Sequence, residues 1–153
     1  MIADVRDIAA ERALVVKIAR EWIGTKYQHG ARIKGVCCDC TFPAEVYHEA
    51  GLIRPLQIRP YNSMAHLHLA SSQYLNQVRK IAREIEQKDA LPGDLAMFFI
   101  ARDFSHSGII TEAGWPNLIH ADMRAGAVLE ARGDELLPRQ DHVRAIKFFS
   151  LWA

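Results

Sequence analysis

Three thiols fall within four residues, at Cys37, Cys38 and Cys40, in the stretch GVCCDCTFPAEVYHEAG (35–51), and they are all the cysteines of the chain. Such a cluster can clip a metal, feed a disulfide, or carry one reactive sulfur beside two bystanders. Sulfur attacks as a thiolate, and a thiolate is favoured where unpaired backbone N–H groups and the positive end of a helix dipole face it. Pro43 indicates where a helix begins, because proline lacks an N–H and is tolerated only in a first turn. The helix is therefore expected to start at Cys40 or just after it. Cys37 and Cys38 lie upstream in a loop, which makes Cys40 the candidate nucleophile. The competing reading is a small buried residue packed under the helix.

A cysteine nucleophile needs a base, and the base needs a group that orients it. Of seven histidines, His29, His48, His66, His68 and His142 sit in polar or loop settings. His106 and His120 each stand at the edge of an apolar, β-like segment, SHSGII and NLIHAD. Adjacent antiparallel strands would bring the two rings within a hydrogen bond, one to take the thiol proton and the other to fix its ring. A structural zinc site is the rival. Cys38 and Cys40 with two of His29, His48, His106 and His120 would supply four ligands. Zinc ligands more often come in pairs spaced two to four apart, and the chain has no second cysteine pair, so no metal or other cofactor is expected.

The elements that must position these residues follow from the pattern around them. Val15, Ile18, Ala19 and Trp22 keep helical spacing, with Gly24 as a stop. A loop, GTKYQHGARIKGVCCD, leads to a second helix with the stripe Pro43, Val46, Tyr47 and Ala50, capped by Gly51. IRPLQIRPYNS is extended because its prolines break a helix. A third helix is predicted over about 72–87, with Leu75, Val78, Ala82 and Ile85 on one face. After the turn at Pro92-Gly93 the segments become short and β-like: LAMFFI, HSGIITE, NLIHAD, AVLEA and RAIKFFSLW, with a short helical turn expected near DELLPRQD. Short connections favour antiparallel pairing. Helices first and strands afterwards predict a single α+β domain over 1–153, N-terminal helices packed on a C-terminal antiparallel sheet.

Composition removes other classes. With 19 Lys and Arg against 18 Asp and Glu the formal net charge is +1, so there is no electrostatic case for nucleic acid or an anionic membrane. No apolar run approaches the roughly 18 residues of a membrane span. The charged start, MIADVRDIAAERALVV, does not read as a secretory signal. Three tightly packed cysteines are not a disulfide framework, and a reducing compartment at synthesis is expected.

Taken in order, GTKY (24–27), CDC (38–40) opening a helix, LPGDL (91–95), HSGI (106–109) and IHA (119–121) resemble the NlpC/P60 cysteine peptidases, within them the short phage and gene-transfer-agent type. The family pattern runs Gly-Thr-Pro-Tyr, Asp-Cys-x-Gly-Leu, Pro-Gly-Asp-Leu, His-x-Gly-Ile, Ile-His-Ala, and the resemblance spans about residues 12–150. It implies a papain-like α+β fold with Cys40 as nucleophile, His106 as general base and acid, and His120 as the group that orients His106. Tyr27 would donate a hydrogen bond near the oxyanion, beside the Cys40 N–H, a donor commonly worth about 3 kcal/mol. The implied chemistry is acyl transfer through a thioester. The implied substrates are peptidoglycan stem peptides, cut between γ-D-glutamate and diaminopimelate. Asp39, Phe42, Arg32 and Ser105 are expected at the substrate, with Lys34 and the first-turn amides as further carboxylate contacts.

The chain departs from the pattern in three places. Thr41-Phe42-Pro43 replaces the small-glycine-apolar run after the cysteine, Lys26 replaces the proline before the tyrosine, and Ser107 replaces an apolar residue after the histidine. Phe42 is expected to narrow the acyl pocket. Without wall-binding repeats or a signal, the expected route is synthesis in the cytoplasm followed by association with a virion, with phage tail proteins as partners, or delivery to the periplasm or wall by another machine. Another amidase or an acyltransferase on the same residues, and an inactive binding module, are the remaining alternatives.

Overall fold

The computed structural model describes residues 5–58, 73–100, 103–135 and 143–153, with the backbone alone at 100, 103–105, 143 and 144. Among the described residues, α1 (Ile8–Glu21) starts at Asp7, whose carboxylate accepts the Ala10 N–H at 3.0 Å. Its expected stripe, Val15, Ile18, Ala19 and Trp22, is buried. Gly24 turns the chain away at φ +90°, a conformation that favours glycine. α2 (Pro43–Glu49) is short and buries Pro43, Ala44, Val46 and Tyr47. It ends at Ala50 and at Gly51, whose φ is +76°.

The third helix, α3 (Gln73–Ile81), stops six residues before its expected end. The chain instead forms β4 (Arg83–Ile85), paired antiparallel with the last strand, and then a 3-10 turn at Gln87–Asp89. Ala82 and Ile85 have helical spacing, but the open edge of the sheet offers Arg83–Ile85 a ladder partner that local propensity does not foresee. The loop before α2 also holds more structure than its sequence suggests. It contains three two-residue strands, β1 (Lys26–Tyr27), β2 (Arg32–Ile33) and β3 (Cys37–Cys38).

The remaining strands are β5 (Leu95–Ile100), β6 (Asp103–Ile110), β7 (Asn117–Asp122), β8 (Ala127–Arg132) and β9 (Val143–Ser150). The order β2-β3-β1-β8-β7-β6-β5-β9-β4 is antiparallel except where β1 runs parallel to β3. The expected helical turn near DELLPRQD begins as a 3-10 turn at Gly133–Glu135, and the rest of that stretch, like 59–63, lies outside the described residues.

Alternation along the strands divides the core. Leu95, Met97, Ile109, Ile119, Ala121 and Phe149 meet the helices, whereas Ala96, Phe98, Ile110, Leu118 and Phe148 form a second cluster joined by Trp115. Neighbouring strand residues leave opposite faces, so the two sets occupy opposite sides of the sheet. The turn Leu91–Asp94 locks the helices to β5. Asp94 is fully buried, accepts the Leu91 N–H at 2.9 Å and pairs with Arg12 of α1 at 2.9 Å. Tyr47 of α2 donates to the Gly93 carbonyl at 2.8 Å.

Candidate functional site

The three cysteines occupy two different environments. Cys37 and Cys38 form β3, paired with Lys26 and Tyr27 on one side and with Ile33 and Arg32 on the other. Cys38 has no exposed surface. Burial pushes its thiol up to about 12, with the charges of Asp39 and Cys37 adding to the effect, so it stays protonated and inert. Cys40 is half-buried and lies beyond the strand, in the turn that enters α2. None of the three is in a disulfide.

That turn is wound more tightly than an α-helix. The Phe42 N–H reaches the Asp39 carbonyl at 3.2 Å, and the Ala44 N–H reaches Thr41 at 3.1 Å. The buried Asp39 carboxylate accepts the Thr41 N–H at 2.9 Å, the Thr41 hydroxyl at 2.6 Å and the Gly30 N–H at 2.8 Å. The N–H groups of Glu45 and Val46 both go to Phe42. Pro43 has none. The expectation of open first-turn amides facing the sulfur and substrate carboxylates is therefore corrected: from Thr41 to Val46 every backbone N–H has a partner, because Asp39 caps the turn and 3-10 bonds close it early. An Asx turn at Asp39-Cys40-Thr41 was the signal that would have shown this.

β6 is stapled to this turn. Ser107 is fully buried and donates its hydroxyl to the Cys40 carbonyl at 2.6 Å. Tyr74 of α3 meets the same Ser107 oxygen at 2.8 Å. The residue before Ser107 is His106. Its Nε2 lies 3.0 Å from Nδ1 of His120, with the rings edge-on at 85°. Leaving the other face of β6, the His106 ring also packs on Phe98, centroids 5.3 Å apart. Burial, and then repulsion from His120, pushes His106 down to about 3, and burial lowers His120 despite Asp122. Both rings rest neutral. His120 Nε2 is buried with no hydrogen-bond partner among the described residues.

Gly108 is what lets the pair meet. It faces His120 across the β6–β7 ladder. A Cβ there would overlap Leu118 Cδ1 and stand 2.8 Å from the Ile119 oxygen and 3.2 Å from His120 Cβ.

The other expected site residues are placed unevenly. Tyr27 is half-buried on β1, and burial raises its phenol, with the charges of Cys40, Asp39 and Cys38 adding. It therefore remains an O–H donor. Arg32 lies 3.8 Å from Glu45, and its NH1 is buried with no partner among the described residues. Asp39 is spent on capping, as above. Phe42 corrects an expectation: it is completely buried against Trp22, centroids 5.4 Å apart, so its ring fills the core and does not reach a substrate. Lys34 does likewise, since Glu21 at 2.7 Å and Glu49 at 2.9 Å already hold its ammonium. The Ser105 side chain, His66, His68 and His142 lie outside the described residues. Among the described residues no group of three His, Cys, Asp or Glu could hold a metal ion, and no helix is long and apolar enough to cross a membrane.

No family model matches this sequence, and no curated protein matches it. Solved structures do resemble the fold. The NlpC/p60 domain of peptidoglycan hydrolase SagA superposes with a TM-score of 0.60 at 20% identity, over 90% of this chain and 96% of that one. NlpC1 from Trichomonas vaginalis gives 0.56 at 18%, over 90% of this chain and 43% of that one. The chain has the α+β NlpC/P60 fold.

Proposed function

We propose that this protein is a cysteine peptidase that hydrolyses an amide bond in peptidoglycan stem peptides, between γ-D-glutamate and diaminopimelate. We place it in a phage or prophage tail, within the gene-transfer-agent-like group. The observation that carries the reading is the staple: in an NlpC/P60 fold, the half-buried cysteine at the head of α2 is tied to the strand residue next to a paired histidine.

In this reading the sulfur of Cys40 attacks the amide carbonyl and His106 takes its proton. Burial holds the His106 ring neutral, so it is able to accept the thiol proton. The working tautomer keeps a proton on His106 Nε2, donated to His120 Nδ1, and leaves Nδ1 of His106 to accept from the thiol. The Cys40 N–H and the Tyr27 hydroxyl are assigned to the oxyanion. His106 then protonates the leaving amine, and water hydrolyses the thioester. Arg32, with a buried N–H still unpaired among the described residues, is assigned to a substrate carboxylate.

The test is incubation of the folded protein with purified stem peptides, read by mass. Cleavage by the wild type, lost in Cys40→Ala and kept in Cys38→Ala, is the expected result. Failure of the folded wild type to cut any stem variant would favour a binding module, and transfer of the acyl group to an amine instead of to water would favour an acyltransferase.

A further inference from the structure

We propose that Ser107, backed by Tyr74, is a positioning residue for Cys40, and that it does the work of a backbone N–H which Pro43 removes. The proposal rests on reading Cys40 as the nucleophile. In the turn entering α2, the 3-10 bonds run from residue 42 to 39 and from residue 44 to 41. The rung between them, 43 to 40, is missing because residue 43 is proline. The Ala44 N–H, which could otherwise reach Cys40, is taken by Thr41. The Cys40 carbonyl thus has no helical donor, and it receives the Ser107 hydroxyl at 2.6 Å instead.

Ser107 has one hydrogen, and this bond uses it. Tyr74 must therefore donate to the Ser107 oxygen across their 2.8 Å contact. Tyr74 is suited to that role because burial raises its phenol and keeps it protonated. The result is a one-way chain, Tyr74 O–H to Ser107 O–H to Cys40 C=O, whose members polarise one another in a buried setting. The same peptide plane is held at its other end, where the Thr41 N–H donates to Asp39 at 2.9 Å. A planar unit fixed at both ends fixes the backbone from which the Cys40 side chain projects. Two departures from the family pattern, Pro43 and Ser107, become one feature: the first opens a gap that the second fills.

The experiment is a double-mutant cycle between Ser107→Ala and Pro43→Ala. It is read by kcat and KM on a cleaved stem peptide, by the alkylation rate of Cys40, and by the carbonyl carbon NMR shift of Cys40. Ser107→Ala is expected to lower kcat and the alkylation rate about tenfold, the weight of one good buried hydrogen bond, with KM little changed. The carbonyl shift should move towards that of an unbonded group. Adding Pro43→Ala restores an N–H at the missing rung, so the double variant should recover to within about threefold and regain most of the carbonyl shift. Tyr74→Phe, which keeps the ring, should give a smaller loss of the same kind. The proposal is overturned if the double variant is no better than Ser107→Ala, or if Ser107→Ala leaves the Cys40 carbonyl shift unchanged. Should Ser107→Ala fail to fold, Tyr74→Phe decides by the same shift. Absence of any stem-peptide cleavage by the wild type would sink the peptidase reading alone, because alkylation and the carbonyl shift still report on the positioning.

Discussion

Cys38 and Cys40 are two residues apart and differ in burial and in backbone setting. A strand packed on both sides holds the first thiol protonated, whereas the second sits at the break between strand and helix, with its carbonyl tied across to β6. At pH 8 iodoacetamide is expected to modify Cys40 and to spare Cys38, whose thiol is pushed up to about 12; peptide mapping after labelling checks this. His106→Ala should slow the Cys40 reaction if the imidazole takes its proton. The histidine pair also ties stability to pH. His106 titrates near 3 when folded and near 6.5 when free. Between those values the unfolded chain carries the proton and the folded chain does not. Stability is therefore complete above about pH 6.5 and is lost as pH falls towards 3. Urea midpoints for wild type and His106→Asn between pH 7 and 4 measure this, and the variant should show the shallower decline.

Single glycines and turns govern the elements. Gly108 allows β6 and β7 to approach closely enough for the two imidazoles to meet. Gly108→Ala is expected to cost about 2 kcal/mol through overpacking and to disturb the histidine pair, seen as displaced imidazole resonances alongside a lower unfolding midpoint. Asp94→Ala leaves the Arg12 guanidinium, itself mostly buried, without its carboxylate, and should cost about 3 kcal/mol; thermal unfolding should reveal it. Much of this was legible beforehand. Pro43 marked the start of α2, and the alternation in NLIHAD and HSGII showed the two strands and the adjacency of His106 and His120. What was not legible depends on partners distant in sequence. β4 exists because β9 offers an edge, Phe42 is a core residue because Trp22 meets it, and Lys34 is occupied because two helix ends converge on it. Ser107 and Tyr74 could be noticed in the sequence as polar residues near apolar ones, but only the assembled turn shows the carbonyl they serve.

At the scale of the molecule, α1 closes the fold by holding its far end. The Arg12 guanidinium stacks 4.2 Å over the Trp152 ring and reaches Ser150, while the Trp152 indole N–H donates to Glu11 at 2.8 Å. Trp152→Ala should lower the unfolding midpoint by several degrees, through loss of the cation–π contact and of packing on α1, as followed by far-ultraviolet circular dichroism. The ordering of the sheet has its own consequence. Among the described residues its nine strands finish at β2, two residues long, and β4, three residues long, and those five residues include Arg32, Arg83 and Glu84. Between them, β9 meets β4 only from Phe148 to Ser150, and β8 meets β1 only at Ala127. A second molecule arriving at either border finds a few main-chain donors and acceptors among charged side chains, too few to zip onto. The two terminal strands are therefore poor templates from which to grow a fibre.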